Sequence, residues 1–149
     1  MREEFAVEHH FVKLDFTKVE KESLSVYLQR RMTKRNPLLG ASDLGEQLGV
    51  SRPRAYAIQK QLEKKGVLHN DKGQGFHLTG KGEVILDSLQ HRWKVLETYF
   101  FTDVGLKLEK ASEEAMNILL HISEEFLEKI CEKLDIPSFC PHHQRIPLH

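Results

Sequence analysis

Two arginines, Arg52 and Arg54, lie near the start of the stretch "GVSRPRAYAIQKQLEKKGVL" at 49–68. This stretch carries apolar residues at a helical spacing, at Ala55, Ile58 and Leu62. The amino end of a helix is the positive end of its dipole, where cations are unfavourable unless an external anion compensates them. A guanidinium binds a guanine edge or a phosphate with two hydrogen bonds. The pattern therefore indicates a surface that binds a polyanion.

The neighbouring segments predict a helix-turn-helix with a wing. "ASDLGEQLG" at 41–49 is typical of a short helix with Asp43 as its cap, and Gly49 closes it. Ser51 caps the next helix, and "VLHNDKGQGFHL" forms two strand-like runs around a turn. In this motif the start of the second helix enters the major groove of DNA. The predicted DNA-binding residues are Ser51, Arg52, Pro53, Arg54, Tyr56 and Lys60, with Lys72 on the wing. The alternative is a solvated basic face on a unit of packed helices.

The rest of the chain is predicted to be mainly helical. Thr17 and Glu20 match a capping box for a first helix, and another helix runs from Thr79 to about Phe100. After a loop around "TDVGLKLEK" we expect one long helix, which Pro137 ends. Its apolar positions are Ala115, Ile118, Leu119, Ile122, Phe126, Ile130 and Leu134.

Charge is unevenly distributed along the 149 residues, although the 22 basic and 22 acidic residues balance overall. Residues 30–81 contain 11 Lys and Arg against 4 Asp and Glu, a net +7; residues 91–149 contain 7 against 10, a net −3. This segregation favours a DNA-facing part joined to a part with a different task. No run is long enough to span a membrane and the first residues lack a signal peptide's apolar stretch, so we expect a cytoplasmic protein without a membrane partner.

Catalytic patterns are absent from the sequence. There is no glycine-rich phosphate loop and no paired-carboxylate arrangement. Cys131 lies in the middle of a predicted helix, and Cys140 with His142 lacks an orienting third group. Two cysteines are too few for a disulfide scaffold and suit a reducing compartment. We predict that the chain is not an enzyme.

Several segments together resemble the diphtheria-toxin-repressor and manganese-transport-regulator family of metal-dependent transcription factors. They are "DLGEQLGVSRPRAYAIQKQLEKKGVL", "LTGKGE", "HRWKVLETYFFTDVGL", "EEAMNILLHISEEFLEKICEKLDIP" and "CPHHQRIP". The resemblance implies a homodimer that reads a palindromic operator in double-stranded DNA. It implies a winged helix-turn-helix domain, placed at 19–82, and a helical dimerisation domain with a Cys/His-containing tail at 83–149. Partly alternating apolar residues near the start predict an N-terminal arm or strand extension at 1–18.

The resemblance also implies a manganese or iron site between the two domains, whose ligand positions can be compared one by one. The first-helix positions hold Val26 and Gln29. On the linking helix the family's His falls at Trp93 or Lys94, and its Glu partner falls at Glu97. The later run becomes Met116, Leu119 and Leu120. Leucine and valine side chains carry no donor atom, so the usual site is expected to be lost.

A relocated metal site in the tail is the alternative. In an extended segment, Cys140 and His142 project to the same side while His143 faces away. With His121, or with His9 or His10, these groups could hold a divalent transition metal such as iron, manganese or zinc. The competing interpretation is a packed irregular tail and a surface histidine.

The sequence therefore predicts a DNA-binding transcriptional regulator, most simply a repressor, that acts as a homodimer. Its metal response would use the non-standard tail site. One alternative is a metal-independent winged-helix regulator that answers another signal, and another is an interaction module that has lost DNA binding. Apolar residues on the helices after residue 82 favour a dimer: Val84, Ile85, Leu89, Leu96, Phe100, Ile118, Ile122 and Phe126.

Overall fold

A computed structural model describes residues 14–134 of the chain. Within this range the chain divides into two compact units, Leu14–Leu86 and 87–134, which we describe separately. The mainly helical fold class with a small sheet is confirmed. Within the described range, no helix is both long enough and apolar enough to span a membrane.

The first unit contains three helices and a two-stranded hairpin. Its elements are α1 (Lys18–Met32), α2 (Ala41–Leu48), α3 (Arg52–Lys64), β1 (Leu68–Asn70) and β2 (Phe76–Leu78). The predicted capping box is confirmed: the Glu20 backbone N–H donates to Thr17 Oγ1 at 3.2 Å, and the Thr17 N–H donates to Glu20 Oε1 at 2.9 Å. Two otherwise orphaned donors at the start of α1 are thereby satisfied.

The turn between α2 and α3 depends on two glycines. Gly49 has a φ of 72°, a left-handed conformation that glycine adopts without strain. At Gly45 an added Cβ would lie 2.8 Å from the Val50 carbonyl oxygen, so only glycine permits this close approach. The prediction of Asp43 as the cap of α2 is wrong. Gly40 occupies the cap position and Asp43 lies in the first turn, because the helix begins three residues earlier than expected.

The hairpin is antiparallel and packs beside the helix-turn-helix. Leu68 pairs with Leu78, and Asn70 pairs with Phe76. Leu39 adds a bridge to the same edge: its N–H donates to the Phe76 carbonyl at 3.1 Å and the Phe76 N–H donates back at 2.9 Å. The helices enclose a common apolar core, whose fully buried members include Leu24, Leu28, Leu44, Ala55 and Leu62.

The second unit begins within the long helix α4 (Gly80–Tyr99), which both units share. A π-helical segment (Phe100–Val104) follows it, and then come α5 (Leu108–Ile118) and α6 (Glu124–Leu134). The prediction of one long helix here is wrong, since the chain breaks between α5 and α6.

Two polar side chains account for this break. The Ser123 hydroxyl accepts from the Phe126 N–H at 3.1 Å and so caps α6. The guanidinium of Arg92 donates to the carbonyls of Leu119 at 3.2 Å and Ile122 at 3.3 Å. These bonds satisfy carbonyls that a continuous helix would have used internally.

Candidate nucleic-acid interface and metal positions

The start of α3 presents its cations to solvent. Ser51 caps the helix, its hydroxyl accepting from the Arg54 N–H at 3.3 Å, and the first turn contains no acidic residue. Ser51, Arg52, Pro53 and Arg54 are all exposed. Neither arginine forms an ion pair with any residue between 14 and 134, so both guanidinium groups are available to an external anion within that range.

Tyr56 and Lys60 follow along α3 and have different partners: Tyr56 contacts an aromatic ring, and Lys60 is bonded to a carboxylate. Tyr56 is 44% exposed, and its ring packs edge-on against Phe76 with centroids 5.7 Å apart. Lys60 Nζ donates to Glu63 Oε1 at 2.7 Å, and this hydrogen bond raises the pKa of Lys60. Glu63 also accepts the Asn70 N–H at 3.1 Å, which ties the end of α3 to the hairpin. Lys60 is thus partly neutralised by a neighbour, unlike the two arginines.

Lys72 lies at the tip of the wing. It is exposed and has a φ of 53°. The surrounding turn is fixed by the Asp71 N–H, which donates to the Gly75 carbonyl at 2.8 Å, and by the Gly73 N–H, which donates to Asn70 Oδ1 at 3.0 Å. A fixed turn holds the Lys72 ammonium on the outer end of the hairpin.

A buried polar contact that sequence reasoning missed connects α3 to α1 and the hairpin. Tyr27 donates its hydroxyl to the Phe76 carbonyl at 2.9 Å. Gln59 Nε2 donates to the Leu39 carbonyl at 3.1 Å and lies 3.4 Å from the Tyr27 hydroxyl. Burial is the main reason that the pKa of Tyr27 is raised. The available signal was that Gln59 falls on the apolar side of α3, where a polar residue needs a partner.

Of the predicted metal ligands Cys140, His142, His143 and His121, one lies within the described residues. His121 is exposed at the turn after α5. Cys140, His142 and His143 lie outside the described residues, as do His9 and His10. Residues 14–134 contain no group of three or more His, Cys, Asp or Glu side chains that could hold a metal ion.

The positions that the resemblance assigns to the usual metal ligands do not suit a divalent ion. In the first unit Val26 is buried and Gln29 is exposed. In the second unit Leu119 and Leu120 are buried. A hard or borderline ion requires several oxygen, nitrogen or thiolate donors, which these side chains do not supply.

Helix α4 carries an unusual set of buried polar side chains in the second unit. Arg92 is 1% exposed, and its guanidinium also binds Glu124 Oε2 at 3.0 Å. Burial lowers the pKa of Arg92, and the contact with Glu124 opposes this effect. Sequence reasoning missed this residue, although it continues the apolar stripe of Ile85, Leu89 and Leu96 at helical spacing. Lys94 and Glu97 are each 0% exposed on the same helix.

Cys131 is unsuited to nucleophilic chemistry. Its side chain is 3% exposed on α6, and burial, followed by the charges of Glu128 and Glu132, raises the pKa of its thiol to about 12. A thiol in that environment is protonated at neutral pH and is a poor nucleophile.

A family model and a known regulator match parts of this chain. Residues 79–148 match the family model described as iron dependent repressor, metal binding and dimerisation domain. The HTH-type transcriptional regulator MntR of Lysinibacillus sphaericus (strain C3-41) is 28% identical over 95 residues, covering 64% of this chain and 68% of the relative.

Solved structures show the same fold. The manganese regulator SloR superposes with a TM-score of 0.65 at 23% identity, covering 90% of this chain and 64% of that one. ScaR with bound Zn²⁺ gives a TM-score of 0.69 at 26% identity, covering 88% of this chain and 60% of that one. This chain therefore spans 60% to 68% of the length of these three relatives.

The family model covers the helical C-terminal part, while the structural matches extend over the winged helix as well. By name, MntR is an HTH-type transcriptional regulator and SloR is a manganese regulator. The order of the sequence segments, the fold and the matches all support the resemblance: the chain is similar to the diphtheria-toxin-repressor and manganese-transport-regulator family of metal-dependent transcriptional regulators, and residues 79–148 match an iron dependent repressor model.

Proposed function

We propose that this protein is a transcriptional repressor that binds double-stranded DNA as a homodimer at a palindromic operator. The observation that carries the proposal is the pair of exposed arginines at the capped start of α3, which have no ion-pair partner between residues 14 and 134. The wing places Lys72 on the same unit. We expect the protein to act in the cytoplasm, where its DNA target would be found.

The guanidinium groups of Arg52 and Arg54 can make two kinds of contact with DNA. A guanidinium can bind guanine O6 and N7 in the major groove, or it can bind a phosphate. Ser51 and Tyr56 add hydroxyl groups beside them, and Pro53 fixes the backbone of the first turn. Lys60 adds less than an unpaired lysine would, because Glu63 already holds its ammonium.

Duplex binding tests this assignment directly. A DNA sequence selected from a pool of randomised duplexes serves as the probe, and its affinity is measured at several salt concentrations. Arg54→Ala should lose about 1–3 kcal/mol of binding free energy, with relaxed sequence preference if Arg54 reads a base. Lys129→Ala on α6 is the matched control, since it also removes one exposed positive charge. If Arg52→Ala and Arg54→Ala bind as the native protein does at every salt concentration, the interface lies elsewhere, and an interaction module becomes the better interpretation.

The homodimer is proposed to form through the C-terminal helices. Of the apolar residues suggested by the sequence, Leu89 and Leu96 are buried within the chain, whereas Phe126 is 48% exposed. Phe101 and Val104 in the π-helical segment are also exposed, at 40% and 52%. Sedimentation of the native protein at micromolar concentration should give a dimer. A monomer under those conditions would contradict the proposal.

A divalent transition metal is the proposed effector, because related regulators were solved with bound Zn²⁺, Cd²⁺ or manganese. The proposed ligands are Cys140, His142 and His143, completed by His121. Metal content and duplex affinity should be measured for the native chain and for the Cys140→Ser, His142→Ala variant. Loss of iron, manganese or zinc only in the variant supports the tail site. No metal in either protein favours a metal-independent regulator.

A further inference from the structure

Helix α3 carries a single acidic side chain, Glu63, among four cations. The cations are Arg52, Arg54, Lys60 and Lys64. Glu63 lies in the last turn of α3, where the helix dipole disfavours a negative charge. On a helix that binds DNA, a carboxylate also repels the phosphate groups. Neither the dipole nor a bound duplex therefore favours a carboxylate at this position.

Each oxygen of the Glu63 carboxylate has its own partner. Oε1 accepts from Lys60 Nζ at 2.7 Å, three residues earlier on the same helix. Oε2 accepts at 3.1 Å from the N–H of Asn70, the last residue of β1. The bonds from Lys60 and from Asn70 lower the pKa of Glu63, so the group is a carboxylate at neutral pH. One side chain therefore contacts both an ammonium and the wing.

The bond to Asn70 extends to the tip of the wing. Asn70 Oδ1 accepts from the Gly73 N–H at 3.0 Å, and Lys72 lies between these two residues in the turn. Asn70 is thus held by Glu63 through its N–H and bonded to the turn through its side chain. This connection restricts the position of the Lys72 ammonium relative to α3.

The bond to Lys60 affects DNA binding in the opposite direction. A lysine that neutralises a phosphate releases counterions and adds sequence-independent affinity. Lys60 and Glu63 are 44% and 26% exposed, so both groups lie where a duplex can approach α3. To bind a phosphate, the Lys60 ammonium must leave Glu63, whose negative charge it then no longer neutralises. An exposed pair of this kind is weak in water, so the expected penalty on duplex affinity is a few-fold.

We infer that Glu63 is a positioning residue for DNA binding: its carboxylate fixes the wing to α3 and withholds the Lys60 ammonium from the phosphate backbone. The inference rests on the proposed function, because it assigns Glu63 a part in the same DNA-binding surface. Arg52 and Arg54 form no ion pair within residues 14–134 and keep their full charge for the duplex. Glu63 thus limits the sequence-independent part of the affinity and leaves the arginine contacts unchanged.

Duplex binding by Glu63→Gln tests the release of Lys60. Glutamine keeps an oxygen that can accept from the Asn70 N–H, but it carries no charge to hold the ammonium. The probes are the selected duplex and a duplex of the same composition in scrambled order, each at several salt concentrations. Affinity for both should rise roughly 3-fold or more at low salt, because one more phosphate is contacted. The plot of log affinity against log salt concentration should steepen by about one unit. Unchanged or weaker binding overturns the inference.

The Lys60→Met background shows whether Glu63 acts through Lys60. The gain from Glu63→Gln should be smaller in this background, because no ammonium is left to release. An equal gain in both backgrounds would mean that Glu63 acts only through its own charge, which overturns the inference.

A second ion pair supplies the matched control. Lys110 and Glu113 have the same three-residue spacing and are bonded at 2.9 Å on α5, outside the winged helix. Glu113→Gln removes the same charge from the chain and should leave duplex affinity unchanged. A gain as large as that of Glu63→Gln would assign the effect to net charge and would overturn the inference.

Glu63→Met tests the anchoring of the wing, because methionine has a similar length and offers no oxygen to the Asn70 N–H. Lys72→Ala should weaken duplex binding by a larger factor in the Glu63→Gln background than in the Glu63→Met background, where the wing is no longer fixed. Equal factors in the two backgrounds would contradict the positioning of the wing by Glu63.

The arginine variants separate this inference from the proposed function. If Arg52→Ala and Arg54→Ala weaken binding but Glu63→Gln does not strengthen it, the inference fails and the proposed DNA interface stands. If all three variants bind as the native protein does, the interface lies elsewhere and both fail.

Discussion

The two units of this protein use positive charge in opposite ways. In Leu14–Leu86, Arg52 and Arg54 lie exposed at the start of α3, where the helix dipole opposes them. In 87–134, Arg92 and Lys94 are buried, and Arg92 satisfies carbonyls and a carboxylate of the same unit. An exposed cation that does not stabilise its own helix is available to an external anion, as the proposed function requires. A buried cation stabilises the structure around it.

This contrast predicts different consequences of mutation in the two units. Loss of a buried cation should reduce the stability of the fold. Its hydrogen-bond acceptors remain buried, and no water molecule replaces the lost donor. Loss of an exposed cation at the start of α3 should leave the fold unchanged or more stable, and should affect only the binding of DNA.

The largest effect on stability is expected for Arg92→Met. This change leaves the carbonyls of Leu119 and Ile122 without their donor and breaks the bond to Glu124. Unsatisfied buried acceptors cost about 1–3 kcal/mol each, so we expect a loss of about 3 kcal/mol in the free energy of unfolding, measured with urea. Lys129→Met is the control, because it removes a cation that is exposed. Lys129 Nζ lies 3.7 Å from Glu132 Oε1, and the two side chains are 69% and 70% exposed. Equal losses in the two variants would contradict the distinction between buried and exposed cations.

A smaller loss is expected for Tyr27→Phe in the first unit. The change removes the hydroxyl that donates to the Phe76 carbonyl and that lies beside the Gln59 amide. Removing one partner from a buried hydrogen bond costs about 1–2 kcal/mol. Urea unfolding should show this loss, and duplex binding should weaken at the same time because α3 is held less firmly against the hairpin. Unchanged stability would mean that the Tyr27 hydroxyl is not essential to this contact.

Local sequence signals predicted several helix ends of the first unit, although not the cap of α2. Ser51 as a cap, Gly49 in a left-handed conformation and the Thr17 capping box act within a few residues, and all three are confirmed. The partners of polar side chains were harder to predict. The hydrogen bond from Lys60 to Glu63 depends on side-chain conformation, and the contact of Gln59 with Leu39 joins residues that are 20 apart.

The second unit shows why periodicity alone is insufficient. The apolar period continues from Ile118 through Ile122 to Phe126, so the sequence gives no sign of a break in that pattern. Besides the Ser123 cap, the break depends on Arg92, which is 27 residues before Leu119 in the chain and which satisfies the released carbonyl. Such a tertiary contact overrides a local preference and is not visible in a window of neighbouring residues. The predicted tail site, with Cys140, His142 and His143, stays a prediction.

A gain in stability is expected for Arg54→Glu. An acidic residue in the first turn of a helix interacts favourably with the dipole, by about 0.3–1 kcal/mol at low salt. The free energy of unfolding should therefore rise slightly, while duplex affinity falls because a positive charge at the interface becomes negative. The comparison needs both measurements on the same variant. A protein that loses stability and still binds DNA would reverse the interpretation of the exposed arginines.

A similarly small effect concerns Glu20, whose carboxylate accepts from the Thr17 N–H at 2.9 Å and from Lys65 Nζ at 2.6 Å. Burial opposes ionisation of this group, but the bonds from Lys65 and Thr17 outweigh it, so the pKa of Glu20 is lowered. A lowered pKa in the folded state contributes stability above the usual value of about 4.3, and that contribution is lost as the pH falls through the folded value. Glutamine can still accept from Thr17, so Glu20→Gln removes mainly the charge.

Glu20→Gln should therefore be less stable than the native protein by about 0.5–1 kcal/mol at pH 7, because Lys65 is partly exposed and water weakens the pair. The difference should shrink as the pH falls below about 4.3, where the native carboxylate takes up its proton and the two side chains become similar. Urea unfolding of the native protein and of Glu20→Gln across this pH range measures the difference in the free energy of unfolding. Glu46→Gln, which alters an exposed carboxylate on α2, should show almost no difference at any pH. A difference for Glu20→Gln that persists at low pH would mean that the shape of the side chain, and not its charge, supports the start of α1.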